Sequence, residues 1–159
     1  MGAHSTRTKR AETGVTLLEL IIASALLLIL SAAALPIVRF TIVRQREAEL
    51  HRALREMRDA IDRYKDYSDR NLIRVEVGSE GYPKDLETLV KGVTVGTGGG
   101  QKLRFLRRIP VDPMTGRAEW DAQSVQDDPD SRSGSGDNLF DVHSKSQGMA
   151  QDGTRYSDW

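Results

Sequence analysis

Apolar positions are spread very unevenly along the chain. From Leu20 to Val38 the sequence runs 19 residues without a charge, LIIASALLLILSAAALPIV. As an α-helix this run would be roughly 28 Å long, close to the hydrocarbon thickness of a bilayer. It is apolar on every side, and the remaining chain is too small and too polar to wrap it. The pattern predicts a membrane-spanning helix. Beyond it, residues 39–70 contain neither glycine nor proline, and Leu50, Leu54, Met57, Ile61 and Tyr64 recur at spacings of 4, 3, 4 and 3. That is one apolar stripe of a continuing helix. The stripe covers two heptads, short of the three or four that mark a coiled coil, so it is expected to pack against the C-terminal part of its own chain. On the other faces Arg52/Glu56, Arg55/Asp59, Arg58/Asp62 and Asp59/Arg63 stand at i,i+4, which predicts ion pairs worth a few tenths of a kcal/mol each. Val15 to about Arg70 would be a single helix of roughly 80 Å.

Residues 71–159 carry weaker periodicity. Tyr82-Pro83 leads into KDLETLVKG, a short helix with Leu86, Leu89 and Val90 inward and Gly92 as its C-cap. GTGGG at 96–100 lacks the Gly-Lys-Ser/Thr of a phosphate loop and reads as a plain loop. Asp112-Pro113-Met114-Thr115-Gly116 is turn chemistry. Ala118 to Ala122 and Asn138 to Ser144 are expected strands, with the polar QDDPDSRSGSGD between them as a long loop or hairpin tip. The expected fold class is therefore α+β. A long N-terminal helix, transmembrane in its first half and amphipathic in its second, packs on a small head with a short antiparallel sheet.

The length of 159 residues fits one domain, or one small domain and a tail. Lys+Arg 23 against Asp+Glu 23 leaves no net charge, which argues against a nucleic-acid partner. The absence of cysteine excludes a disulfide scaffold, thiol catalysis and cysteine-rich zinc sites. No residues assemble a catalytic constellation, and the expectation is a protein that is not an enzyme. His4 stands near the N-terminus, His51 is expected to be solvated on a charged helix face, and His143 is expected to be a facing residue of a strand. The acidic loop with Asp127, Asp128, Asp130 and Asp137 has neither the glycine nor the closing glutamate of a calcium loop, and reads as a solvated loop.

One residue breaks the apolar pattern. Glu19 stands at the head of the hydrophobic segment, where a carboxylate in the bilayer costs on the order of 2.5 to 3.5 kcal/mol and is usually functional. Ahead of it lies MGAHSTRTKRAETG, with Arg7, Lys9 and Arg10. Gly14, then Val15-Thr16-Leu17-Leu18-Glu19, then an unbroken apolar helix with Pro36 inside it, resembles the class III signal of type IV pilins and type II secretion pseudopilins. The head adds to the likeness. Tyr82-Pro83, Ile109-Pro110-Val111-Asp112-Pro113 and Asp158-Trp159 resemble the ordered landmarks of the major pseudopilin.

The resemblance implies cleavage by a prepilin peptidase between Gly14 and Val15, and N-methylation of Val15, where the family usually has phenylalanine or methionine. It implies a leader at 1–14, a transmembrane and assembly helix at 15–38, its amphipathic continuation at 39–70 and a periplasmic head at 71–159. Glu19 would pair with the Val15 ammonium of a neighbour in a homopolymer, and Pro36 would be the place where the helix kinks or melts on assembly. Further implied partners are minor pseudopilins, an inner-membrane assembly platform and a secretin. The fibre would drive export of folded proteins across the outer membrane. The family keeps the leader in the cytoplasm, although Arg39, Arg44, Arg46, Arg52 and Arg55 on the far flank outnumber the leader's three basic residues. The major pseudopilins also bind calcium in the C-terminal loop. Here Asp152 and Asp158 are the remaining candidate ligands, with Gln147 and Arg155 near positions where the family has acids. The alternative is a loop closed by hydrogen bonds and by burial of Tyr156 and Trp159. Two other functions stay open: a type IV pilin forming surface fibres for adhesion or motility, whose major forms usually close a C-terminal loop with a disulfide, and a membrane-anchored binding protein.

Overall fold

The computed structural model describes residues 14–96, 100–128 and 134–159, with 33–39 described by their backbone alone. The expected leader apart from Gly14, the side chain of Pro36, and Asp130 lie outside the described residues. The chain divides into two compact units, 1–41 and 42–159. One helix, α1 (Leu17–Asp69, 53 residues), contributes to both and runs unbroken through Pro36.

In the first unit the helix begins with a built cap. Thr16 accepts the Leu20 amide on its carbonyl at 3.1 Å and the Glu19 amide on its Oγ1 at 3.2 Å. This side-chain acceptor satisfies one of the donors that every helix start leaves open. The aliphatic residues that follow are uncovered: Leu17, Leu18, Leu20, Ile21, Ile22 and Leu26 to Leu30 are 51 to 77% exposed. Among the described residues no helix is long and apolar enough to cross a membrane. The structure therefore does not support the expected transmembrane span at 20–38 as such. That span runs into 33–39, and the described apolar side chains end at Ala32.

In the second unit the 4-3-4-3 stripe is buried. Leu50, Leu54, Met57, Ile61 and Tyr64 are at most 5% exposed, and Ala53 and Ala60 widen the contact. They pack with Ile73, Leu89, Phe105, Leu106, Trp120, Leu139, Val142 and Tyr156 in one core. The stripe thus closes on its own chain, as its short length implied. α1 ends in a Schellman motif. Asn71 takes φ 56°, its amide donates to Ser68 O at 2.8 Å, and the Leu72 amide donates to Tyr67 O at 3.0 Å.

Helix α2 (Leu86–Lys91) is capped by Asp85, whose Oδ1 accepts from the Thr88 amide and hydroxyl at 2.7 and 2.8 Å. It stops at Gly92, which has φ 76° and donates its N–H in a hydrogen bond to Thr88 O. A Cβ at Gly92 would sit 2.4 Å from Leu103 O, so space as well as backbone conformation requires glycine. The carbonyl of Leu89 then accepts both the Phe105 and Leu106 amides at 3.1 Å, tying α2 to the following segment.

Two antiparallel ladders complete the head. β1 (Val93–Thr94) pairs with β2 (Lys102–Leu103), and β3 (Trp120–Gln123) pairs with β4 (Asp141–Ser144) with Trp120 opposite Ser144. The α+β expectation holds. Both longer strands differ from their expected bounds of Ala118 to Ala122 and Asn138 to Ser144. Asn138 leaves the ladder because its polar groups are used locally: its carbonyl accepts from Ser124 Oγ, its Oδ1 from the Val125 amide, and its Nδ2 donates to Gln126 Oε1.

None of the four expected i,i+4 ion pairs forms among the described residues. Arg58 reaches Asp141 instead, with Nε at 2.6 Å and Nη2 at 3.2 Å from the two carboxylate oxygens, and Nη2 also donates to Val142 O and Trp159 O. Arg63 donates to the carbonyls of Asp59 and Phe105. A fork that meets a carboxylate and two carbonyls outcompetes an exposed pair along one helix. The i,i+4 pairs that do form are Lys65–Asp69, Arg70–Asp66 and Lys91–Glu87.

Candidate functional site

The helix start gathers the residues expected to carry chemistry. Gly14, Val15 and Thr16 are not helical, and α1 begins immediately after them. Nothing lies within 4 Å of a Cβ built on Gly14, and Val15 is 69% exposed. The Gly14–Val15 bond is therefore an accessible peptide bond in a non-helical segment. Glu19 is exposed in the first turn, and its carboxylate makes no hydrogen bond or ion pair among the described residues. A carboxylate there is favoured by the partial positive charge of the helix N-terminus. Hydrolysis of the bond before Val15 would place an ammonium four residues ahead of Glu19, at the same end of the helix.

The cap is a functional element that the reading by hydropathy missed. Thr16 and Glu19 have the T-x-x-E spacing of a capping box, which was visible in the sequence. The structure makes the threonine arm of it. Pro36 lies within α1, and its side chain is outside the described residues.

At the C-terminal loop, Asp152 and Asp158 were the candidate calcium ligands. Asp152 Oδ1 accepts from the Thr154 hydroxyl at 2.7 Å and from the Thr154 amide at 2.9 Å. These bonds, the hydroxyl's first, hold its carboxyl below the usual range. Asp158 Oδ1 accepts from the Ser157 hydroxyl at 3.1 Å. Among the described residues no three aspartate, glutamate, histidine or cysteine side chains come together as a metal site. Calcium takes six to eight oxygens and usually several carboxylates, so the side chains present do not fit it well.

Protein groups close this loop. Glu47 Oε1, on α1, accepts from the Gln151 amide at 3.0 Å and from Tyr156 Oη at 3.1 Å. Burial first, then the bond to Glu47, pushes the Tyr156 phenol up from its ordinary value. Trp159 donates its indole N–H to Thr154 Oγ1 at 2.7 Å and stacks on His51, with centroids 4.1 Å apart and planes 8° from parallel. His51 was expected to be merely solvated. It is exposed on one side but forms the platform for Trp159, a contact across 108 residues that no local pattern announces. His143 does face out of its strand, with Nδ1 2.9 Å from Trp159 O.

Residues 9–35 match the family model described as the Prokaryotic N-terminal methylation motif. The match takes in Gly14, Val15 and Glu19 and most of the apolar run. No curated protein and no solved structure matches the chain. The motif supports a type IV pilin-like family, pseudopilins included. Such proteins are structural subunits and not enzymes. The motif implies processing by a prepilin peptidase, an N-terminus anchored in a membrane, and assembly into pilus-like polymers.

Proposed function

We propose that this protein is the major pseudopilin-like subunit of a type II secretion system. Residues 1–14 form the leader, 15–38 the transmembrane and assembly helix, 39–70 its amphipathic continuation and 71–159 the periplasmic head. A prepilin peptidase hydrolyses the Gly14–Val15 bond with one water, leaving a carboxylate on Gly14 and an ammonium on Val15. The ammonium loses a proton, and the free amine takes a methyl group from a sulfonium-class methyl donor, whose S–CH3 bond breaks as the N–CH3 bond forms. The processed subunit stays in the inner membrane until it joins a fibre in the periplasm, built with minor pseudopilins on an inner-membrane platform and facing a secretin. The fibre pushes folded substrates outward.

The observation that carries this reading is the methylation motif on residues 9–35. The glycine we propose as scissile stands in a non-helical segment directly before a capped helix, whose Glu19 carboxylate has no partner among the described residues. Two further facts support it. The aliphatic surface of Leu17 to Leu30 is uncovered, so it requires a bilayer or neighbouring helices. The second unit, the head together with the buried stripe of α1, carries its own core, as a subunit displayed on a fibre must.

Intact-mass measurement on membrane-extracted protein tests the processing. The expected species lacks residues 1–14 and carries one methyl group on Val15. A full-length chain, or a chain cut after Ala34 as by a secretory signal peptidase, would end the proposal.

A further inference from the structure

The charge of α1 changes along its length. Residues 39–55 carry five arginines against Glu47 and Glu49, whereas 56–69 carry three cations against five acids. The arginine excess lies at the end next to the apolar run, on the flank where the orientation count expects fewer cations. In the second unit Arg44 and Arg46 are exposed and form no ion pair among the described residues. They stand roughly 9 and 12 Å along the helix beyond Val38. The headgroup layer extends roughly 5 to 8 Å past the hydrocarbon. Helical side chains set out toward the N-terminus, and an arginine is long enough to carry its charge back across that gap.

A second element brings another cation to the same end of the unit. The chain turns back at 149–155, where the Ala150 amide donates to Thr154 O at 2.8 Å and Met149 pairs with Arg155 across the turn. Directly opposite residues of an antiparallel pair share a face. Met149 is 65% exposed, and Arg155 is exposed with no ion pair among the described residues. The turn is pinned to the opening turns of α1 in this unit. The Gln151 amide donates to Glu47 Oε1 at 3.0 Å, and Arg44 Nε donates to Gln151 Oε1 at 3.3 Å. This end therefore presents Arg44, Arg46 and Arg155, with Met149 and the half-exposed Ile42 as apolar neighbours. The acids beside them are bonded to neutral donors: Glu47 to Gln151 and Tyr156, Glu49 to Gln45, and Asp152 to Thr154.

We propose that this end of the head docks on the anionic phospholipid headgroups of the leaflet from which α1 emerges. The inference rests on the membrane-anchored reading above and names what the head touches before assembly. Cations with exposed apolar side chains between them match a surface that offers phosphates at one depth and acyl chains just below. Their place directly after an apolar helix selects a lipid surface over a soluble partner. Each arginine near an anionic surface favours contact by about fivefold, and three together by about a hundredfold. An unassembled subunit would thus hold its head down on the membrane, and joining a fibre would require its release.

The test uses the full processed chain with Met149→Cys, which gives a single thiol because the chain has no cysteine of its own. Labelled there with an environment-sensitive fluorophore, it is reconstituted in vesicles of phosphatidylcholine alone, or of an equimolar mixture with phosphatidylglycerol. Quenching of the label by aqueous acrylamide should be about threefold weaker in the mixed vesicles. Arg44→Gln, Arg46→Gln and Arg155→Gln together should return it to the phosphatidylcholine value. Lysine at the same three positions should preserve the protection, which keeps the test decisive if the glutamine chain misfolds. Equal quenching in both vesicle types, a glutamine variant that stays protected, or a lysine variant that loses protection would overturn the proposal. Protection that appears in phosphatidylcholine alone and grows with protein density would overturn it too, since a second copy would then cover this face. A chain that alkaline carbonate strips from the vesicles would show instead that the membrane-anchored reading fails, and this contact falls with it.

Discussion

Helix α1 carries two apolar surfaces made of the same kinds of residue, and only one of them is covered. From Leu50 to Tyr64 the apolar residues occupy a stripe, and the head buries them to 5% exposure or less. From Leu17 to Leu30 they occupy the whole circumference, and all the large ones are more than half exposed. The difference lies in width. A stripe leaves polar faces for water, so a small head can close on it, whereas a helix apolar all round needs an environment that surrounds it. At the start of the uncovered half stands an acid with no partner among the described residues, while the covered half ends in a Schellman turn that commits the chain to the head. One half of the helix is closed by the head, and the other is left open.

The largest expected effect concerns the uncovered half. Glu19→Ala should be inserted and cut as before, because the scissile bond and leader are untouched and a costly group has left the bilayer. Assembly should fail. An unpaired Val15 ammonium in the apolar interior of a fibre costs on the order of 3 to 5 kcal/mol, a factor of hundreds or more per subunit added. The readout is sheared-fibre yield at equal membrane levels of processed protein. Normal yield would reduce Glu19 to a tolerated residue and remove the functional half of the contrast.

Next comes a matched pair of truncations. Leu54→Ala empties a buried site and should lower the stability of the head by about 2 to 5 kcal/mol. Leu27→Ala makes the same chemical change on the uncovered half and should leave the unfolding transition of the head where it was. A head fragment beginning at Ile42 should show the same loss for Leu54→Ala. Equal effects of the two substitutions on that transition would break the distinction between the halves.

The smallest effect sharpens the comparison at the edge of the covered half. Tyr156→Phe removes the hydroxyl bond to Glu47 and should cost about 1 kcal/mol near neutral pH. The Tyr156 pKa is raised in the folded head, so its contribution is complete below the unfolded value near 10 and is lost as pH rises through the folded value. Urea unfolding from pH 7 to 11 should therefore show an alkaline decline that Tyr156→Phe flattens. Identical slopes would mean that the phenol is not coupled to folding. In the same assay, added calcium should leave the midpoint in place, and a rise would restore Asp152 and Asp158 as ligands.

Local chemistry made much of this legible in the sequence. The stripe was readable because a 4-3-4-3 period has few other interpretations, and Gly92 because a glycine after an apolar-periodic segment is a common helix stop. The Gly14 to Glu19 pattern was readable because an acid at the head of an apolar run is costly. What escaped notice depends on distance or brevity. β1 and β2 are two residues each, too short to show alternation. Arg58 chose Asp141 over Asp62, and His51 chose Trp159, because folding brings remote partners closer than the next helical turn. The Thr16 cap was readable from its spacing to Glu19.

That cap has a consequence for the order of events. Helices elongate easily once nucleated, and without a boundary α1 could propagate backward across residues 14 and 15. A peptide bond wound into a helix has its backbone groups already engaged and offers a protease little to grip. By fixing the first turn, Thr16 acts as a stop on propagation: the helix is set on one side, and the bond proposed for cleavage is unwound on the other. Thr16 also lies downstream of the proposed cut, so the boundary would survive it. A chain so processed would keep its helix start, and the new amine would emerge one residue ahead of an end that is already capped.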